Sequence, residues 1–260
     1  MDSLELVRNF NFQKDRYMNK KITVEELLES GAHFGHPTSR WDPNFLPYIA
    51  TKKNGIHIIN LNETINCIEK VKIELLKLVQ SNGNVLFVGT KNQVKDVVSD
   101  AADKCGMFYI IERWLGGILT NFATIKKSIK RLEKLEKESS AIYKNLTKKE
   151  RSQLERERIK LSDLHRGIKD MKYLPDALFV VDIKNEKIAV DEAKILGIPV
   201  FGIVDSNTNP KLIDYPIPAN DDSIKTVKLI LNYLVESINV NNSESVDSKQ
   251  KDSSIEESSE

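Results

Sequence analysis

The stretch GAHFGHPTSRWDPNF, from Gly31 to Phe45, sets His33 and His36 three residues apart, with Arg40 and Trp41 close behind. Two histidines at that spacing can share a helix face and ligate a metal. They can also sit in a loop packed on the protein, or in a loop that meets a polyanion. Zinc asks for three or four ligands, and neither Cys67 nor Cys105 belongs to a CxxC pair that could complete the set. Gly35 and Pro37 break helix here, so the expectation is a loop leaving the helix that Gly31 ends. No metal is expected. His33, His36 and Arg40 remain as candidates for touching nucleic acid.

A second stretch, ERWLGGILTNF (112–122), raises the same choice. Arg113 and Trp114 offer a guanidinium and a stacking face, and Gly116-Gly117 would let a backbone approach closely. Thr120 or Asn121 reads as the cap of the helix that follows. The loop VGTKNQ (88–93) looks like a phosphate cradle, but Gly83 and Gly89 are one residue too far apart. Gly89-Thr90-Lys91 also reverses the order that a P-loop needs. Asp182 and Asp205 each end an apolar run and could serve as a base or hold a metal; capping the next turn is the simpler role. His57 falls in a hairpin strand and His165 in a helical segment, which gives a catalytic triad no support. The best enzyme reading left is an α/β enzyme acting on a phosphorylated metabolite through Gly89–Lys91 and Asp205.

These residues need a scaffold, and the charge pattern divides it. The 260 residues are 40% apolar and 30% charged, with a net charge of +1. Within residues 123–172, however, 16 Lys/Arg face 8 Asp/Glu, a net of +8; residues 239–260 hold 2 against 6, a net of −4. Segregation of this kind points to a polyanion partner at the basic segment. No apolar run is long enough to span a bilayer. The N-terminus carries Asp2, Glu5 and Asp15 without an apolar core, unlike a signal or transit peptide. Two isolated cysteines, each read as a small buried residue, suit a reducing cytoplasm.

The basic segment is also the most regular. Phe122, Ile125, Ile129, Leu132, Leu135, Ile142 and Leu146 form one helical stripe, and Leu154, Leu161, Leu164, Ile168 and Met171 a second. Thr147 and Glu150 between them make a capping box. The expectation is an antiparallel hairpin of two helices, each about 30–36 Å long, ending before Pro175. The stripes are narrow, so the two helices should bury mainly each other and project from the body.

The body reads as α/β. NVLFVGT (84–90), MFYIIE (107–112), DALFVVD (176–182) and IPVFGIVD (198–205) are apolar throughout, as parallel strands covered on both faces are. Helices are expected at 91–104, 186–196 and 221–238, the last with Ile224, Val227, Ile230, Leu231, Leu234 and Val235 inward. Thr23 and Glu26 form another capping box. Asn54-Gly55 marks a hairpin across 48–60. The fold class is therefore α/β: a three-layer sandwich around a mainly parallel sheet, with an inserted, protruding α-helical coiled-coil hairpin. Its parts are an N-terminal extension (1–21), a sandwich domain (22–122 and 173–238), the hairpin (123–172) and a disordered acidic tail (239–260).

The segments ITVEELLESGAHFGHPTSRWDPNFLPYIATKKNGIHIINL, FVGTKNQ, RWLGGILTNF, LPDALFVVD and LGIPVFGIVDSNTNP, followed by DYPIPANDD, occur in one order from Ile22 to about Ile238. In that order and spacing the chain resembles the bacterial family of small-subunit ribosomal protein two. The resemblance implies an α/β sandwich with a protruding coiled-coil hairpin, and the presence of the hairpin argues against the archaeal and eukaryotic branches. It implies a structural component of the small ribosomal subunit that binds small-subunit rRNA, with no catalysis, cofactor, membrane or small-molecule substrate. Members sit between head and body on the solvent side, join late in assembly and help to hold the large mRNA-binding ribosomal protein. Candidate rRNA contacts on the hairpin are Lys126, Lys127, Lys130, Arg131, Lys134, Lys137, Lys148, Lys149, Arg151, Arg156, Arg158, Arg166 and Lys169. Arg113, Trp114, Arg40, His33 and His36 extend that footprint at its base. Two features depart from the family: about 17 residues precede Met18, and the acidic tail is idiosyncratic. No role is carried onto either.

Overall fold

The computed structural model describes residues 21–137 and 147–239. The expectations for the N-terminal extension and the acidic tail, and for Ile142 and Leu146 in the first stripe, fall outside those residues.

Helix α1 (Val24–Ser30) begins with the expected box: the Glu26 N–H donates to Thr23 Oγ1 at 3.2 Å and the Thr23 N–H to Glu26 Oε2 at 3.0 Å. Strands β1 (Phe34–Pro37), β2 (Ile49–Lys53) and β3 (Ile56–Ile59) form a small antiparallel sheet in the order β1-β3-β2. The turn between β2 and β3 is the expected Asn54-Gly55, with φ 53° and 76°. Strand β1 corrects the loop expected around His36. Gly35 and Pro37 do break helix, but an edge strand with a bulge tolerates both.

Helix α2 (Leu61–Gln80), which the sequence reading passed over, is capped by Asn60 and buries Leu61, Ile68, Val71, Leu75 and Val79 at helical spacing. Then come β4 (Val85–Val88), α3 (Lys95–Cys105), β5 (Phe108–Ile110), α4 (Phe122–Lys137), α5 (Lys148–His165), β6 (Ala177–Val181), α6 (Lys187–Leu196), β7 (Val200–Val204), β8 (Tyr215–Pro218) and α7 (224–239). The five-stranded sheet has the order β5-β4-β6-β7-β8, and every neighbouring pair is parallel. Four of its strands are the expected apolar runs. The fifth, β8, carries Pro216 and Pro218, which hid it, and stands at an edge where missing donors are tolerated.

Alternation along these strands divides the core. Val85, Phe87, Phe179, Phe201 and Ile217 pack with α2, α3 and α7, while Leu86, Val88, Leu178, Val180 and Val200 pack with α6 and the root of α4. Register places Phe87, Phe179, Phe201 and Tyr215 side by side, with the Phe201 and Tyr215 rings stacked at 4.5 Å. Ile224 departs from the inward set expected of α7, being 48% exposed in its first turn. Cys105 is buried and Cys67 half-buried.

Helices α4 and α5 lie against each other, with Arg131 Nε 3.0 Å from Glu157 Oε1 and Ser128 Oγ 2.8 Å from His165 Nε2. The Thr147 box opens α5 as expected. The seam is one-sided: Ile125, Ile129, Leu132 and Leu135 are buried on α4, whereas Leu154, Leu161 and Leu164 on α5 are only half-buried. Ile125 and Ile129 also join the body core through Trp114, Ile168 and Met171. The expectation that these helices bury mainly each other is therefore corrected at the root. There Gly167 meets β5 so closely that an added Cβ would lie 2.2 Å from the Tyr109 carbonyl oxygen.

Candidate functional site

Open parallel sheets bind ligands beyond the carboxyl ends of their strands. Here those ends are occupied by the chain's own charges. Lys91 follows β4, Asp182 follows β6, Asp205 follows β7, and Asp221 and Asp222 follow β8. Lys91 Nζ reaches Asp222 Oδ1 at 2.5 Å, Asp221 Oδ1 at 2.9 Å and Asp182 Oδ2 at 3.4 Å. Burial alone would lower the Lys91 pKa, but Asp222, Asp221 and Asp182 raise it, so the ammonium is firmly charged. Burial pushes the Asp221 carboxyl up, and Asp182 and Asp205 push it further. Thr90 is spent too: its N–H and hydroxyl both donate to Glu186, whose carboxyl is pushed up by burial although those two donors pull it down. The loop read as a phosphate cradle is thus an internal brace. Asp182, with φ 65°, caps its turn by accepting from the Asn185 N–H and Nδ2.

His33 and His36 separate. The His33 carbonyl accepts the Ile59 N–H at 2.8 Å, its ring rests on Phe34 at 4.0 Å, and burial lowers its pKa. His36 turns toward the strand ends. Its N–H donates to Ser206 Oγ at 2.7 Å, its Nδ1 lies 3.0 Å from Asp205 Oδ2, and its Nε2 is 3.1 Å from Asn207 Nδ2 and 3.6 Å from Asp222 Oδ2. Asp205 raises its pKa, against burial, with help from Asp221 and Asp222. Two acidic groups, Asp205 and Asp222, thus face that ring. Arg40 and Arg113 are exposed.

The Trp114 loop is held by a residue that sequence reasoning missed. Glu192, 6% exposed on α6, accepts from Trp114 Nε1 at 3.1 Å, the Gly117 N–H at 2.7 Å, the Leu119 N–H at 3.0 Å, and the Thr120 N–H and hydroxyl, both at 3.1 Å. Burial would raise the carboxyl, but those donors hold it below its ordinary value. Trp114 is therefore a buried anchor with no face left for stacking, and Thr120 belongs to Glu192 rather than to a helix cap. The one sequence signal for it is its place in the helical period, between the buried Val190 and Ala193.

The remaining candidates lie on α4 and α5. Lys127, Lys130, Lys134, Lys148, Lys149 and Arg156 are exposed, and among the described residues none is in an ion pair. Arg131 is bound by Glu157, Arg158 by Glu155 and Lys169 by Glu136. Lys126 lies over the rings of Phe122 and Tyr173.

The model of a family described as ribosomal protein S2 matches residues 27–240. The chain belongs to that family. A relative from Fusobacterium nucleatum subsp. nucleatum, named small ribosomal subunit protein uS2, is 45% identical over 92% of this chain and 98% of its own length. Relatives of the same name from Cytophaga hutchinsonii and Onion yellows phytoplasma are 50% and 54% identical, over 82% and 81% of this chain and 84% and 78% of their own. The S2 family is structural rather than enzymatic, which sets aside the reading as a metabolite enzyme. The braced state of Lys91 accords with that outcome. No described helix is long and apolar enough to cross a membrane.

Proposed function

We propose that this S2-family chain is a structural constituent of the small ribosomal subunit, in the cytoplasm, and that it grips small-subunit rRNA with α4 and α5. In this reading the two helices are the arms of a protruding coiled-coil hairpin inserted between the halves of the sandwich. The observation that carries it is the set of exposed cations that have, among the described residues, no carboxylate partner: Lys127, Lys130 and Lys134 along one side of α4, and Lys148, Lys149 and Arg156 on α5. Spacings of three and seven on α4 keep its three ammonium groups on one face, where they can follow a phosphate backbone. Arg113 and Arg40 extend the footprint toward the body. Arg131 and Arg158 are weaker candidates, since contacting phosphate would mean releasing glutamates. The family resemblance supports neighbouring small-subunit proteins as partners, including the large mRNA-binding one.

Replacing Lys127, Lys130 and Lys134 with Gln tests this. Binding to small-subunit rRNA should weaken, and its log–log salt slope should fall by about 0.7 for each lost contact. An unchanged slope would place the RNA surface elsewhere. The full chain should also co-sediment with small subunits at low salt.

A further inference from the structure

We propose that Asn54-Gly55, at the tip of the β2–β3 hairpin, is a self-modifying site at which the chain converts its own asparagine to aspartate and isoaspartate. The Gly55 amide nitrogen attacks the Asn54 side-chain carbonyl. A bond forms from the Gly55 nitrogen to Asn54 Cγ, and the bond from Cγ to Nδ2 breaks. The Gly55 N–H proton passes to hydroxide, and the departing nitrogen takes a proton from water and leaves as ammonia. One water then opens the cyclic imide. Addition at Cγ gives aspartate, and addition at the main-chain carbonyl carbon gives isoaspartate. In both cases the hydroxyl stays on the carbon, the ring bond to nitrogen breaks and the nitrogen regains its proton. The sequence of steps consumes water alone, with no oxidant or reductant.

The chain holds two Asn-Gly pairs, Asn54-Gly55 and Asn82-Gly83, and the structure separates them. Both asparagines are exposed and left-handed, with φ 53° at Asn54 and 59° at Asn82. They differ at the nucleophile. The Gly83 N–H donates to the Leu78 carbonyl at 2.9 Å, and a Cβ added to Gly83 would lie 2.6 Å from Leu78 Cδ2. That nitrogen is tied into the packed end of α2. Among the described residues, neither the Gly55 N–H nor the Asn54 side-chain amide makes a hydrogen bond, and nothing lies within 4 Å of a Cβ added to Gly55. The Thr38 N–H holds the Gly55 carbonyl at 2.9 Å and leaves its nitrogen untouched. Ala50–Lys53 of β2 are all exposed, so the tip can open and bring that nitrogen onto Cγ without uncovering the core. Lys52 and Lys53 stand exposed just before the pair, and their charge favours the amide anion through which attack proceeds. The product sets a carboxylate beside those two lysines. Isoaspartate also adds a methylene to the main chain, which a two-residue turn cannot take up, so the pairing of Lys53 with Ile56 should loosen. The proposal does not rest on the rRNA reading and uses none of the arm's residues.

The test is to age the full, folded chain in warm, mildly alkaline buffer made with heavy-oxygen water, and to map its peptides by mass spectrometry. Isoaspartate is scored by methyl transfer from an isoaspartyl methyltransferase used as a reagent. Conversion at Asn54 is expected to yield both products, each with one heavy oxygen, and one ammonia per event. Asn82 should convert about tenfold more slowly or less, because the end of α2 must open first. Asn54→Gln should abolish the isoaspartate signal. Gly55→Ala should slow conversion several-fold; its Cβ enters open space, and circular dichroism checks that the fold is kept. Equal rates at Asn54 and Asn82, no conversion at Asn54, or an unchanged rate in folded Gly55→Ala overturns the proposal.

Discussion

The strand ends and the α4–α5 pair use the same residue types to opposite effect. At the strand ends Lys91 is enclosed by three carboxylates, and on α6 Glu192 is enclosed by five donors, so charge in the body is absorbed by the fold. On α4 and α5, Lys127, Lys130, Lys134, Lys148 and Lys149 stand in water, and among the described residues no acid holds them. A charge that the fold has satisfied specifies structure, and a charge that it leaves free is available to a partner. The place where an α/β sheet usually binds its ligand is, in this chain, part of the framework.

Substitutions can break that contrast. The largest effects belong to the strand ends. Lys91→Met strands Asp182, Asp221 and Asp222 without their cation and should cost about 3–5 kcal/mol in chemical denaturation. Glu192→Ala leaves the Trp114 indole and three backbone N–H groups without their acceptor, and should cost a similar amount, about 3–5 kcal/mol. Losses under 1 kcal/mol at both sites would show these charges to be as dispensable as those of the arm.

Thr147→Ala comes next, at about 1 kcal/mol. Hydrogen exchange should quicken at 147–152 while β6 stays protected; loss of protection in both would make the arm and the body one cooperative unit. Arg131→Gln removes an exposed pair and should cost about 0.2–1 kcal/mol. A cost of several kcal/mol would place that pair with the strand ends instead.

The smallest effect is one of sign. Burial lowers the pKa of His165 at the arm's root from its ordinary 6.5. The folded state therefore holds it neutral while the unfolded chain takes up a proton below that value. Stability present above about pH 6.5 should decline as pH falls through it, and His165→Gln should flatten the decline.

What the sequence disclosed follows from how local each signal is. Phe179 and Val180 lie in an unbroken apolar run, and Asn54-Gly55 needs only itself, so both could be read. Strands β1 and β8 were hidden by Gly35, Pro37, Pro216 and Pro218, whose local preferences yield to edge pairing. Helix α2 carries a helical period in Leu61, Ile68, Val71 and Leu75, but no charge pattern or motif sets that segment apart. The bond between Glu192 and Trp114 spans 78 positions, and no local pattern announces it. The company that His36 keeps, Asp205 and Asp222, arises from the crossing of three segments, which no local pattern displays.

Gly167 carries a consequence for aiming. With hydrogen in place of a methyl, the turn after α5 can seat directly on the Tyr109 carbonyl. Helix α4 extends for 16 residues, about 24 Å, from Phe122. It is a lever, and a tilt of about 5° at its root would swing its far end by about 2 Å. That is close to the tolerance of an ammonium–phosphate contact. In the proposed reading, the aim of Lys134 at a phosphate is therefore set less by the lysine itself than by the close seating of Gly167 at the root of the two helices.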